Sequence, residues 1–364
     1  MAVDIPAGIL YNTAMIPVRA AIAALAAYVP GRQPGGALVK LNANENPYPP
    51  SPRVMRAVAA ATAEQVRLYP DALARGLRAT AARVYGVGVE NVIAGNGSDD
   101  VLTMIVRTFL DPGDVIAVVD PTYTLYETLA AMQGARAEVF PLTAQWDLPE
   151  GLFGAAARVT FLPNPNAQTG TLFPAGAVRR LCEEARGMVV LDEAYAPFAG
   201  VSAIPLIKEF EHVIVLRTLS KSHALAGLRV GFGVAQPQVI EMLMKVKDSY
   251  NLNAISQAAG SAALDDEAYV QERVAAIVRT REWFERALAQ RGWETVPSAA
   301  NFVLAAPPAG SAAEVVTALE ERGYLVRHFA TPRLQRYVRF SMGTDEQMRG
   351  VLAALDEMLA ACSP

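Results

Sequence analysis

The stretch Val213-Ile214-Val215-Leu216-Arg217-Thr218-Leu219-Ser220-Lys221 decides the fold. It opens on four apolar residues, three of them β-branched, and lacks the polar alternation of a strand with one face in water. Such a strand belongs in a sheet that helices cover on both sides. Further strand candidates, several of them also apolar throughout, lie at Val92–Ala94, Val115–Val119, Ala137–Phe140, Val159–Leu162, Met188–Leu191 and Val230–Val234. Stretches with helical patterning lie between them, at Asp99–Leu110, Thr124–Met132 and Ala175–Arg186. Strands alternating with helices predict an α/β fold with a mostly parallel sheet.

Beyond about residue 250 the pattern changes. A long helical stretch, Glu267–Gln290, runs to Arg291-Gly292, where glycine offers a stop. Short strand candidates follow at Phe302–Leu304, Tyr324–Arg327 and Tyr337–Phe340, with helical segments at Ala312–Arg322 and Asp345–Ala361. Thr344 and Gln347 fit a capping box for the last helix. The expected organisation is an arm (1–40) that joins a small domain, a large α/β domain (41–254) and a small α+β domain (255–364).

Bulk composition agrees with two domains. The chain has 364 residues, against roughly 100–200 for one domain. Hydrophobic residues make up 52% and charged residues 19%, which supports a large core and argues against disorder. A net charge of -4 predicts no attraction to nucleic acid or anionic membrane, so an anionic ligand must be held by a local site. Cys182 and Cys362 lie far apart and match no disulfide or metal framework, as expected of reduced thiols in the cytoplasm. The apolar stretch Ala20–Val29 is much shorter than the roughly 20 residues that span a bilayer. It also lacks the small-residue context of a cleaved signal.

Four elements carry chemistry. Lys221 follows a strand at the carboxyl edge of the sheet, where ligands bind in open α/β folds. A lysine there can form a Schiff base with a carbonyl cofactor, and Arg229, eight residues on, supplies positive charge and a phosphate contact. Taken alone, a Ser-Lys pair after a strand is an ordinary surface lysine. In Val189-Val190-Leu191-Asp192-Glu193-Ala194-Tyr195, an apolar strand ends in a carboxylate at the same edge. A buried acid in that place keeps a cofactor ring nitrogen protonated, and Tyr195 can bond a phenolic oxygen. Alone, this is equally a solvated strand end capping its turn. In Ala94-Gly95-Asn96-Gly97-Ser98-Asp99-Asp100, a glycine turn opens a helix, and Gly97, Ser98 and Asp99 offer backbone N–H groups to an anion. Its spacing is not that of a nucleotide loop. In Pro121-Thr122-Tyr123 the tyrosine can stack over a planar ring, although packing is the usual role of such a residue.

Together these residues resemble the fold-type I pyridoxal-phosphate aminotransferases, and within them the histidinol-phosphate aminotransferase family. The similarity begins at Leu41-Asn42-Ala43-Asn44-Glu45-Asn46-Pro47 and includes Leu68-Tyr69-Pro70. It passes through Arg217–Arg229 and ends at Val338-Arg339-Phe340-Ser341-Met342-Gly343-Thr344. The resemblance implies a pyridoxal 5'-phosphate cofactor bonded by Lys221, which also moves protons during the reaction. It implies Asp192 on the ring nitrogen, Tyr195 on the phenolic oxygen and Tyr123 stacked on the ring. Gly97, Ser98, Asp99, Ser220 and Arg229 would hold the phosphate, joined by Tyr69 from a second subunit of a homodimer with shared sites. Arg339 would clasp a substrate carboxylate, and Tyr28, Asn44, Tyr69 and Arg327 would complete the substrate site. The implied reaction converts histidinol phosphate and 2-oxoglutarate into imidazole-acetol phosphate and glutamate, in histidine biosynthesis.

The chain departs from the family in one place. The family reads Asn-Asn-Pro-Thr-Gly where this chain has Asn166-Ala167-Gln168-Thr169-Gly170. The family's second asparagine touches the cofactor, and Ala167 stands in its place; either Asn166 takes over, which is the favoured expectation, or the contact is missing. An aromatic or broad-range aminotransferase and a threonine-phosphate decarboxylase share the fold and are the nearest alternatives. A regulator is disfavoured because only about forty residues precede the core motifs and the chain as a whole is acidic. With three histidines and no nucleophile elbow, a hydrolase is disfavoured, and no metal-ligand cluster is visible.

Overall fold

The computed structural model describes residues 17–25 and 38–361, with side chains as far as Met358. Thirteen strands fall within them. In chain order they are β1 (Val39–Lys40), β2 (Val92–Asn96), β3 (Val115–Asp120), β4 (Arg136–Pro141), β5 (Val159–Pro163), β6 (Met188–Asp192) and β7 (Val213–Thr218). They continue as β8 (Val230–Val234), β9 (Glu294–Val296), β10 (Phe302–Ala306), β11 (Tyr324–Leu325), β12 (Arg327–His328) and β13 (Val338–Ser341).

The large sheet runs β2-β8-β7-β6-β5-β3-β4. All its neighbours pair in parallel except at β8, which is antiparallel to both β2 and β7. Consequently β2 runs in the same direction as β7, and the turns after β2, β3, β5, β6 and β7 meet at one edge. Alternate residues of the strands enter separate cores. Ile116, Val118, Phe161, Val190, Ile214 and Leu216 pack on one face with helix Ser98–Phe109. Ala117, Val119, Leu162, Val189, Leu191, Val213 and Val215 pack on the other with helix Ala175–Glu184. Two buried faces leave little room for polar residues in the central strands, whereas the edge strand β4 carries Arg136 and Glu138 in exposed positions.

The small sheet is antiparallel, ordered β12-β13-β10-β9. It packs with helices Glu267–Ala289 and Asp345–Ala361 around Phe284, Phe302 and Phe340. Thr344 and Gln347 do form the reciprocal cap of the last helix. The stretch Tyr324–Arg327 is two strands. Tyr324–Leu325 pairs with Val39–Lys40 in a separate parallel ladder, and Arg327–His328 pairs with β13.

Packing bears on both expected boundaries. Helix Ala254–Leu264 buries Ala259, Ala263 and Leu264 with Val54, Leu77 and Val230, beside the large sheet. That contact favours a division nearer the start of helix Glu267–Ala289 than residue 255. The arm is also divided: Val39–Lys40 joins the small part, whereas Ala20–Ala23 lies against helix Leu125–Gln133 of the large part. Among the described residues, no helix is long and apolar enough to cross a membrane.

Candidate active site

The converging turns enclose a cavity lined by Ser98, Asp99, Tyr123, Asp192, Tyr195, Ser220, Lys221 and Arg229, together with Pro163, Ala167, Ala194 and Thr218. Eight residues singled out in the sequence thus meet in one place. Strand period explains the convergence, because each of these turns follows the carboxyl end of a strand running the same way.

At the inner end, Asp192 is 6% exposed. Its Oδ2 accepts from Tyr126 Oη at 2.7 Å, and its Oδ1 accepts from the Ala194 N–H at 3.1 Å. Burial pushes its carboxyl above the usual range, against the opposing effects of these hydrogen bonds and of Lys221. Lys221 Nζ donates to the Ala43 carbonyl at 3.3 Å and lies 5.8 Å from the centre of the Tyr195 ring. Tyr195 is buried, with Phe302 edge-on to its ring, and its Oη accepts from Asn44 Nδ2 at 2.9 Å. Asn44 holds left-handed backbone geometry, with φ of 54°.

The outer end is built for an anion. Gly97 (φ 85°) caps the twelve-residue helix Ser98–Phe109, whose first N–H groups have no partner within the helix. The Arg229 guanidinium lies so close over Gly97 that a Cβ there would stand 2.5 Å from Nη2. A Cβ on Gly231 would stand 2.3 Å from the Ser98 nitrogen. Arg229 Nη2 donates to Asp99 Oδ2 at 3.0 Å, and Tyr123 Oη donates to Asp99 Oδ1 at 3.2 Å. Ser220 Oγ accepts from Thr218 Oγ1 at 3.0 Å. The Asp99 carboxylate therefore orients Arg229 and Tyr123, and only its backbone N–H faces a phosphate favourably. The donor set fits pyridoxal phosphate: a buried carboxylate, a hydroxyl and an amine at one end, and a glycine cradle with an arginine and a helix terminus at the other.

Of the two expectations for this turn, the structure favours the missing contact over a contact from Asn166. Its side chain is fully buried: Nδ2 donates to the Pro121 carbonyl at 2.9 Å, while Oδ1 accepts the N–H groups of Gln168 and Thr169 at 2.9 and 3.0 Å. It holds the turn together, and Ala167 lines the cavity instead. The cis peptide bonds are Asp120–Pro121 and Asn164–Pro165.

Arg339 is buried, with its guanidinium 5.2 Å from the ring centre of Phe302 and 5.0 Å from that of Phe329. It donates from Nη1 to Gln168 Oε1 at 3.3 Å and from Nη2 to the Asn42 carbonyl at 3.2 Å. Asn42 is next to Ala43, the acceptor of Lys221, so Arg339 stands beside the cavity. Arg327 pairs with Arg339 across the ladder and lies 5.2 Å from the same Phe329 ring. Tyr69 is not part of this cavity; it is 79% exposed and stacks on Tyr250 at 4.3 Å. Tyr28 lies outside the described residues.

Sequence reasoning missed Tyr126, although its spacing of three from Tyr123 on a helical pattern places the two side by side. It also missed Gln168 as the partner of Arg339, and Ser341 as the partner of Asn44. No local signal marks those.

Fold and site together define a fold-type I aminotransferase, and the chain belongs to the aminotransferase class I and II family, whose model matches residues 37–355. Within it, the chain is 46% identical to the histidinol-phosphate aminotransferase of Geotalea uraniireducens over 94% of its own length and 100% of that protein's. It is 43% identical to the enzyme of the same name from Geobacter sulfurreducens, over 94% and 100%. The crystal structure of histidinol-phosphate aminotransferase from Sinorhizobium meliloti in complex with pyridoxal-5'-phosphate superposes with a TM-score of 0.86 at 28% identity. That match covers 96% of this chain and 99% of the other.

Proposed function

We propose that this enzyme is a pyridoxal-phosphate-dependent transaminase that moves the amino group of histidinol phosphate to 2-oxoglutarate, leaving imidazole-acetol phosphate and glutamate. The observation that carries the substrate choice is the pair Arg327 and Arg339 sharing Phe329 beside the cavity. Two guanidinium groups suit a phosphate dianion in one half-reaction and a carboxylate in the other. Names of relatives over nearly the whole chain support the same substrate.

When bound, the cofactor supplies a protonated ring that accepts the electron pair left when the substrate loses its α-proton. Asp192 would keep the ring nitrogen protonated, and Tyr126 holds Asp192. Lys221 Nζ, held at the cavity wall by the Ala43 carbonyl, would take the substrate's α-proton and return it on the far side of the shared nitrogen. Tyr195 would donate to the phenolic oxygen. The Ser98 and Asp99 N–H groups, the Ser220 hydroxyl and Arg229 would hold the phosphate, and Tyr123 would cover the ring. Arg339 would bind the acidic group of either substrate, and Asn44 would complete that side.

A cytoplasmic homodimer is part of this reading. Tyr69, Leu68, Val66 and Tyr250 are 79%, 50%, 67% and 47% exposed, an apolar surface unusual for a lone subunit. Tyr69 then reaches the partner's phosphate. Mixing inactive Lys221→Ala subunits with weakened Tyr69→Phe subunits tests this: a shared site restores one intact site per hybrid, and no recovery would count against it.

The deciding assay compares amino donors in the holoenzyme. Turnover with histidinol phosphate should exceed that with phenylalanine by at least tenfold in kcat/KM, and threonine phosphate should release no carbon dioxide. Faster turnover of phenylalanine would reject the substrate, and activity retained by Lys221→Ala would reject the chemistry.

A further inference from the structure

We infer that Asn44, oriented by Ser341, is a positioning residue that turns the Tyr195 hydroxyl proton into the cavity. The inference rests on the reading that Tyr195 meets the cofactor's phenolic oxygen.

The hydrogen bonds run in one direction. The Asn44 backbone N–H donates to Ser341 Oγ at 2.8 Å, so that oxygen is already an acceptor. Ser341 Oγ in turn donates to Asn44 Oδ1 at 3.0 Å. The amide oxygen of Asn44 is thereby turned to Ser341, and its NH₂ group faces Tyr195, 2.9 Å away. An amide nitrogen has no lone pair to offer, so Tyr195 Oη must be the acceptor there. Its single proton is left to point elsewhere, and Tyr195 lines the cavity. Asn44 and Ser341 are each 2% exposed, so water does not compete for these bonds. The backbone of Asn44 is fixed by a third bond, from Asn301 Nδ2 to its carbonyl at 2.9 Å.

Two features give the chain of bonds more weight in this protein. Ala167, on the same cavity wall, has no side-chain donor, so its side chain does not supplement the Tyr195 proton. Ser341 is also two residues from Arg339 on β13, on the same face of the strand. Arg339 bonds the Asn42 carbonyl as Ser341 bonds Asn44, so the strand that carries the substrate arginine also orients the cofactor's tyrosine.

The readout is the pH midpoint at which the visible absorbance of the lysine-bound cofactor changes, measured on holoenzyme without substrate. An O–H donor stabilises negative charge on the phenolic oxygen; without it, that oxygen holds the neighbouring nitrogen's proton to higher pH. Tyr195→Phe should raise the midpoint by about one pH unit, the scale of a charge-assisted hydrogen bond. Asn44→Asp puts an acceptor opposite Tyr195 and should raise the midpoint by a similar amount. Ser341→Ala frees the amide to rotate and should raise it less, whereas Ser341→Thr keeps the hydroxyl and the wild-type midpoint. Both rises should vanish in a Tyr195→Phe background. Rises that persist undiminished there would overturn the inference, as would unmoved midpoints in Asn44→Asp and Ser341→Ala while Tyr195→Phe moves. An unmoved midpoint in Tyr195→Phe itself would reject the underlying reading of Tyr195.

Discussion

Tyr126 Oη and Asp192 Oδ2 are 2.7 Å apart, and both side chains are buried at the inner end of the cavity. The bond favours the ionised carboxylate, whereas burial favours the neutral acid. The same proximity to Asp192 helps hold the Tyr126 hydroxyl protonated, well above its ordinary range, with burial the larger cause. In the proposed function this pair would set the charge that faces the ring nitrogen.

Removing either partner should separate chemistry from support. Asp192→Asn should lower kcat on the order of 10²-fold or more, since a preorganised charge at the reacting group is lost. Tyr126→Phe should cost about 1.5–3 kcal/mol of folding stability, the range for a hydrogen bond to a charged group. Steady-state kinetics and denaturant titration distinguish the two; equal kinetic losses would contradict the assignment.

The glycine cradle predicts a steric effect with an internal control. Gly231→Ala places a methyl 2.3 Å from the Ser98 nitrogen, so the helix start must shift. Cofactor affinity should fall at least tenfold, measured by equilibrium dialysis. Gly227→Ala, with no heavy atom within 4 Å of the new carbon, should bind the cofactor normally.

His223 predicts acid sensitivity. Burial, and secondarily Arg217, hold its pKa at about 4 against the ordinary 6.5. The unfolded chain therefore binds a proton between these values that the folded protein refuses. The stability at stake is about 3 kcal/mol, fully present above pH 6.5 and lost as pH falls toward 4. Roughly 1 kcal/mol of this disappears between pH 7 and about 5.5. His223→Asn keeps a hydrogen-bonding partner for the neighbouring Ser222 hydroxyl, 2.9 Å from His223 Nδ1, and should flatten the pH dependence of urea midpoints over that range.

Gln168 predicts a split between binding and turnover. Its Oε1 braces Arg339, which a proline in the same position cannot do. Gln168→Leu should raise the KM for 2-oxoglutarate several-fold to about tenfold, leaving cofactor absorbance and kcat near wild type. A lowered KM would instead show that Gln168 competes with substrate for the guanidinium.

Much of the site was legible before any coordinates because its parts are local. The runs ending at Asp192 and before Lys221, and the Gly97 turn, each contain both the strand that aims the residue and the residue itself. The role of Asn166 was left open by its neighbours, and only the folded loop shows its amide bonded to Pro121, Gln168 and Thr169. The neighbourhood of residue 255 is similar: helix Ala254–Leu264 continues the apolar pattern, and only packing shows that it sits on Val54, Leu77 and Val230.

What the sequence by itself determined was the doubly covered sheet and the set of groups at its carboxyl edge, since apolar period and strand direction are encoded residue by residue. What only the tertiary structure decided was how those groups are oriented. Asn44 meets Tyr195 across 151 positions and Ser341 across 297, and Arg339 meets Gln168 across 171. Such bonds form only once the small sheet has docked against the large one, and no local periodicity reports which buried donors and acceptors will then face each other.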